Sequence, residues 1–260
     1  MVHKDVELKR GLRDVYFEST ESSFVIGDVG RLIYRGYDIH DLAENASFEE
    51  VVYLMMIGHL PNHSELQEFD NTLRASRSIP DEVIQVIDKI KDGHPMDVLR
   101  TIVSSLATFE SNVDDTSHDS TLRKGMKITA QVPTIVAAHH RLRSGLSPIE
   151  PDNNLSHAAN FLYMLLGNYP DEDTAQLMDK DLIVHLDHGS NASSFAARVT
   201  ASTLADVHGA IVTGISTLKG PLHGGAAEGV MKMALDIGHM VVILREHTQI
   251  MIQIFVQMVC

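Results

Sequence analysis

Two histidines stand among residues too small to crowd them. His188 begins HGSNAS, and His223 begins HGGAA within the longer stretch LKGPLHGGAAEG at 218–229. Small neighbours let a ligand approach both an imidazole and the backbone N–H groups beside it. An imidazole so placed can donate a hydrogen bond to a developing oxyanion or move a proton near neutral pH. The same glycines also suit helix C-caps, with the histidines filling gaps, and spacing alone leaves both readings open. HLDH at 185–188 sets His185 and His188 three apart, and on a helix such a pair shares a face. A structural zinc site wants four ligands. Neither a cysteine pair nor a third nearby histidine supplies them, so no metal is expected. Among the other histidines, out of 15, His139 and His140 are adjacent and at most one is buried. His40, His59, His63, His94 and His118 fall near loops or turns and are expected to be solvated. Other catalytic signatures (G-x-S-x-G, the Walker loop, G-x-G-x-x-G, H-E-x-x-H) are missing.

Positioning these histidines falls to helices. Residues 24–39, FVIGDVGRLIYRGYDI, alone read as strand, with Gly27, Asp28 and Gly30 turning between two short runs. Ser47 with Glu50 forms a capping box ahead of VVYLMMIG, and Gly58 and Pro61 stop that helix. Further helices are predicted near 64–76, 80–91, 95–109, 155–167 and 174–186. The polar stretch SNVDDTSHDST at 111–121 reads as a loop, and so does SGLSPIEPDNN at 144–154. Ile128, Val132, Ile135, Val136 and His139 share one face of a helix over 126–143, with Pro133 predicting a kink or a start near that point. Residues 192–217 are rich in Ser, Thr, Ala and Gly, and only Arg198 and Asp206 are charged. A helix of that composition is expected to be buried all round, with close backbone packing. The fold is therefore mainly α with one short N-terminal β-hairpin.

Composition limits the partners. The 260 residues carry a formal charge of −14 and are 44% hydrophobic. That charge argues against nucleic acid or an anionic membrane, while the apolar share supports a sizeable core. No window reaches the roughly 18 uncharged apolar residues of a spanning helix. One cysteine, Cys260, and the polar start MVHKDVELKR predict a reducing, cytoplasmic setting without a signal peptide. The last stretch, HMVVILREHTQIMIQIFVQMVC from 239, is apolar, without glycine or proline, and ends in a run of high β propensity. Either it is a native core strand or helix, or it is foreign to the rest, as a shifted reading frame would make it.

The stretch LDHGSNASSFAARVTASTLADVHGAIVTGISTLKGPLHGGAAEGVMKMALDIG, 186–238, closely resembles citrate synthases. GRLIYRGYDIHDLAENASFEEVVYLMMIGHLP and HPMDVLRTIVSSLATFE resemble the N-terminal half of the same family. The likeness runs from about residue 11 to 238 and is strongest to the shorter archaeal and Gram-positive branch, which includes 2-methylcitrate synthases. It implies a Claisen-type acyl transfer in which acetyl-CoA is enolised, adds to oxaloacetate and yields citrate and CoA, with no further cofactor. By the same resemblance His223 is catalytic, donating a hydrogen bond to the thioester oxygen, and His188 and Asn191 bind oxaloacetate. Gly224, Gly225 and Ala226 would admit coenzyme A, and the chain would form a homodimer.

The sequence also departs from that family. No G-[FY]-G-H motif with its second histidine occurs, and the family's carboxylate base and substrate-pairing arginines are not found. Glycine stands at 189 where glutamate is common, and alanine at 227 where asparagine is common. The expected organisation is a large helical domain over 1–222, the opening of an incomplete small domain over 223–238, and an atypical tail over 239–260. Such a chain is expected to have little or no turnover. Propionyl-CoA as the acyl donor, and a non-catalytic fragment acting only in subunit association, stay open as alternatives.

Overall fold

The computed structural model describes residues 19–226 and 229. The tail 239–260, Ala227 and most of 223–238 lie outside the described residues.

A small antiparallel sheet opens the fold: β1 (Ser23–Ile26), β2 (Arg31–Tyr34) and β3 (Tyr37–Asp38), in that order. Gly30, at φ 65°, closes the first turn, as its glycine suggested. A second turn was not anticipated. Arg35 (φ 47°) and Gly36 (φ 95°) are both left-handed, which is the two-residue hairpin turn that matches strand twist. It adds β3, paired Tyr34 to Tyr37.

Ten helices follow among the described residues: α1 (Ile39–Asn45), α2 (Phe48–Ile57), α3 (His63–Ala75), α4 (Asp81–Ile90), α5 (Pro95–Leu106), α6 (His118–Arg143), α7 (His157–Leu166), α8 (Glu172–Val184), α9 (Ala192–Ser202) and α10 (Val207–Leu218). Ser47 and Glu50 form the expected capping box on α2, and Gly58 ends it at φ 107°. One core joins the sheet to α1, α2, α3 and α8 around Tyr34, Leu42, Val51 and Leu54. A second joins α4, α5 and α6 around Ile87, Ile102 and Ile135, with Ile211 and Ile215 of α10 packed against it. A third joins α6, α7 and α8 around Phe161 and Met178. Among the described residues no helix is long and apolar enough to cross a membrane.

Three expectations are corrected. The loop at 111–121 ends early, because α6 begins at His118 and runs through Pro133 to Arg143, so the proline is neither its start nor its end. Ile128, Ile135 and His139 of the expected face are buried. His139 faces inward and its Nε2 meets the carbonyl of Lys91 at 2.9 Å, while His140 is only half-buried. His94 is not simply solvated either: it is half-buried and its Nδ1 accepts the N–H of Met96, capping α5.

The third correction concerns 192–217. This is two helices, α9 and α10, broken at Leu204 (φ 62°), with Asp206 capping α10 through the N–H of Gly209. The close approach holds. A Cβ on Gly214 would touch Ala197 and the Ser193 carbonyl, and the Thr200 hydroxyl donates to that of Thr213 at 3.0 Å. Burial all round does not hold. No residue of α9 is buried, and Val199 is 51% exposed. Small residues brought two helices together here without enclosing either.

Candidate functional site

The first turn of α9 gathers the candidate residues. Asn191 is its N-cap: its Oδ1 accepts the N–H of Ser194, and Ser194 Oγ in turn accepts the N–H of Asn191 at 2.9 Å. Ser193, one turn position earlier than Ser194, sits 2.7 Å by Oγ from His223 Nε2. His188 lies three residues before the cap, exposed, in the short loop from α8. One helix terminus thus holds the loop of the first histidine and the ring of the second.

His223 is half-buried in a turn that folds back on the end of α10. Its N–H donates to the carbonyl of Gly220 at 2.9 Å, and the Gly225 N–H reaches the same carbonyl at 3.2 Å. The glycines after it are demanded by this turn. A Cβ on Gly224 would stand 2.6 Å from the Leu218 carbonyl oxygen, and one on Gly225 would stand 2.9 Å from that of Lys219. Real Cβ atoms do not approach backbone so closely, so packing alone requires glycine at both positions. Ala226 is exposed at the edge of the described residues. Lys219, just before the turn, pairs with Asp97 of α5 at 2.5 Å, and that hydrogen bond holds the Asp97 carboxyl below the usual carboxylate range.

The loop of His188 is held from the sheet. Tyr34 is fully buried, and its hydroxyl donates to the Asp187 carbonyl at 2.8 Å while accepting the Asp187 N–H at 3.0 Å. Burial pushes the Tyr34 hydroxyl above its ordinary pKa, so it stays neutral. Ser23 Oγ accepts the Gly189 N–H at 2.9 Å. Gly189 has φ 74°, a left-handed conformation that glycine takes without strain and a physical reason for glycine there.

α8 ends at Val184, so His185 and His188 do not share a helix face. His185 instead bonds back to its own helix, Nδ1 lying 2.9 Å from the Asp181 carbonyl oxygen. Its pKa is raised, chiefly by a hydrogen bond to the Asp181 side chain. Among the described residues no three or more His, Cys, Asp or Glu stand together as a metal set. A cavity of about 610 Å³ opens elsewhere, lined by Glu49, Asn154, Glu172, Asp179 and Lys180 among others, and none of the candidate residues borders it.

Sequence reasoning missed Ser193 and Tyr34. Both sit inside stretches quoted for their resemblance, but their partners lie 30 and 153 residues away, and no local pattern links such pairs.

The comparisons agree on one family. The family model described as citrate synthase, C-terminal domain, matches residues 11–252, so its span runs past residue 238. Citrate synthase of Haloferax volcanii is 46% identical over 236 residues, covering 89% of this chain and 62% of that protein. A 2-methylcitrate synthase of Mycobacterium tuberculosis is 41% identical, over 89% of this chain and 59% of that protein. Among solved structures, the ternary complex of Thermoplasma acidophilum citrate synthase with carboxymethyl coenzyme A and oxaloacetate superposes with TM-score 0.85 at 29% identity. It covers 89% of this chain and 61% of that one. The chain therefore spans about 62% of the length of the first of these relatives.

Proposed function

The chain belongs to the citrate synthase family, and on that premise we propose that it serves the condensation of acetyl-CoA with oxaloacetate. In that reaction a base removes a methyl proton from the thioester. The enolate carbon then adds to the ketone carbon of oxaloacetate, the ketone oxygen takes up a proton, and hydrolysis releases citrate and CoA. His223 polarises the thioester oxygen. In the tautomer in which Nε2 accepts from the Ser193 hydroxyl, 2.7 Å away, the ring N–H is on Nδ1, and that N–H is the donor toward the developing enolate oxygen. His188 and Asn191 bind oxaloacetate at the start of α9, and the turn of Gly224, Gly225 and Ala226 lies against coenzyme A. The observation that most supports this reading is the 2.7 Å contact between Ser193 and His223, which fixes one face of a half-buried imidazole and leaves the other to a substrate. The Thermoplasma complex adds support, since that protein holds oxaloacetate together with a coenzyme A derivative.

We place proton abstraction on a base outside the described residues. Binding is therefore the primary test. Calorimetric titration with oxaloacetate should give saturable binding, weakened by His188→Ala. No heat of binding from folded protein would sink the reading. Release of free thiol from acetyl-CoA should fall by about 10²–10³ in His223→Ala wherever the parent shows turnover, the usual cost of losing one oxyanion donor. Unchanged release would remove His223 from the chemistry. The Mycobacterium relative is named a 2-methylcitrate synthase, so propionyl-CoA is the second donor to assay. One methylene shifts selectivity only about 10–200-fold. We also propose a homodimer, supported by the uncovered side of α9, where Ala192, Val199 and Ala201 are exposed. Sedimentation at micromolar concentration should give twice the chain mass, and a monomer there would refute it.

A further inference from the structure

Three consecutive amides around His188 are each committed to a side chain. The Asp187 N–H donates to Tyr34 Oη, the His188 N–H to Asp187 Oδ1 at 3.0 Å, and the Gly189 N–H to Ser23 Oγ. The two outer partners come from the sheet, more than 150 residues earlier in the chain. They are also cross-strand partners of each other, Ser23 opposite Tyr34 in the β1–β2 register. Residues directly opposite on one face of an antiparallel pair project to the same side. One rung of the sheet thus grips the peptide on either side of His188, while His188 itself is left exposed. The grip is rigid for a stated reason. Tyr34 has no exposed surface, Ser23 is buried, and the Tyr34 hydroxyl both donates and accepts on the Asp187 residue. A loop held by buried, two-way hydrogen bonds has few alternative conformations, which is how a supporting shell keeps a site in place.

We propose that Ser23 and Tyr34 are positioning residues for the oxaloacetate-binding loop, setting where His188 and Asn191 are presented. This rests on the reading of that loop given above. Neither residue touches substrate: each acts through the backbone of 187–189.

The test compares Tyr34→Phe, Ser23→Ala and Ser23→Thr with the parent chain. Oxaloacetate affinity from calorimetry should weaken about tenfold in Tyr34→Phe and several-fold in Ser23→Ala. Ser23→Thr, which keeps the hydroxyl, should return toward the parent value. Leu73→Ala serves as a control, since it empties a core position in the same cluster without touching the loop. It should lower Tm and leave the affinity alone. Affinities equal to the parent in folded Tyr34→Phe and Ser23→Ala would overturn the proposal, as would a matching loss in Leu73→Ala. Hydrogen exchange gives a reading that needs no ligand. Amides within 186–190 should exchange at least tenfold faster in both hydroxyl-removing variants, with α9 beyond its first turn unchanged, and unaltered exchange there would also overturn it. If the parent binds no oxaloacetate, the functional reading fails, while exchange still decides whether the sheet holds the loop.

Discussion

Two parts of the molecule treat polar side chains in opposite ways. Where α2, α7 and α8 meet, charged groups are buried deeply. Arg77 has no exposed surface and gives two hydrogen bonds from Nη1, to the carbonyls of Asp152 and Leu155. Glu49 is buried and accepts the His157 N–H at 2.7 Å, and His157 stacks on Phe48. Asp179 caps the start of α2 by accepting the Phe48 N–H. At the α9–α10 end nothing of α9 is buried, and the imidazoles of His188 and His223 stand among glycine, alanine and serine. The largest titration shifts collect in the first region. Burial drives His157 down to about 3, burial and then the Glu49 charge lift Asp179 to about 6, and burial lowers Arg77 to about 10. A strongly perturbed pKa is often taken to mark function. Here it marks helices wedged together around polar groups, and the proposed chemistry lies where approach is open.

That contrast can be broken. Arg77→Ala should cost about 2–5 kcal/mol in urea unfolding, because it leaves the carbonyls of Asp152 and Leu155 without their donor and empties a fully buried volume. A loss under about 1 kcal/mol would make the first region ordinary surface. Acid should act next, through His157. Its folded pKa is depressed, so its contribution is present above about 6.5 and is lost as pH falls toward about 3. That loss should run at about 1.4 kcal/mol per pH unit through the window. Asp179 has the opposite sign. Between 3.8 and about 6 the folded state keeps a proton that the unfolded chain releases, so acidification there adds stability. Tm measured against pH should therefore fall more steeply in Asp179→Asn than in the parent between about 4 and 6, and a flatter curve would contradict the assignment.

Smaller effects belong to the second region. Leu204 is 77% exposed and left-handed, so Leu204→Gly should stabilise by about 1 kcal/mol as the αL penalty is removed. Gly214→Ala meets only ordinary contacts at 3.7 Å or more and should gain about 0.5–1 kcal/mol from helix propensity. Thermal melts that show either change as strongly destabilising would mean the helix pair is packed more tightly than its geometry indicates. Val199→Ser, on the exposed side of α9, should stay within about 0.5 kcal/mol.

What was legible follows the range of each interaction. The capping box at Ser47 and Glu50, the stop at Gly58 and the buried face at Ile128, Ile135 and His139 are local, and their residues announce them. The break at Leu204 has no glycine or proline to mark it. Asp206 was counted as a charge, not read as the cap it is. Arg77, Glu49 and His157 are polar, so apolar periodicity passes over them although they are core. In the candidate site, the small residues beside His188 and His223 were visible. The reason for Gly224 and Gly225 was not, because it lies in the carbonyls of Leu218 and Lys219. The hydroxyls of Ser193 and Tyr34 could be assigned only once the chain was folded.

The link from Tyr34 to Asp187 spans 153 residues, and this has a consequence for synthesis. At about 5–20 residues per second, the sheet leaves the ribosome roughly 8–30 s before the loop it will hold. Throughout that interval the partner of the Tyr34 hydroxyl does not exist, and the surface that becomes most deeply enclosed is open to water and to other chains. The loop of His188 is consequently among the last of the described parts to acquire its shape, and until it arrives a newborn chain carries the Tyr34 hydroxyl uncovered at the sheet.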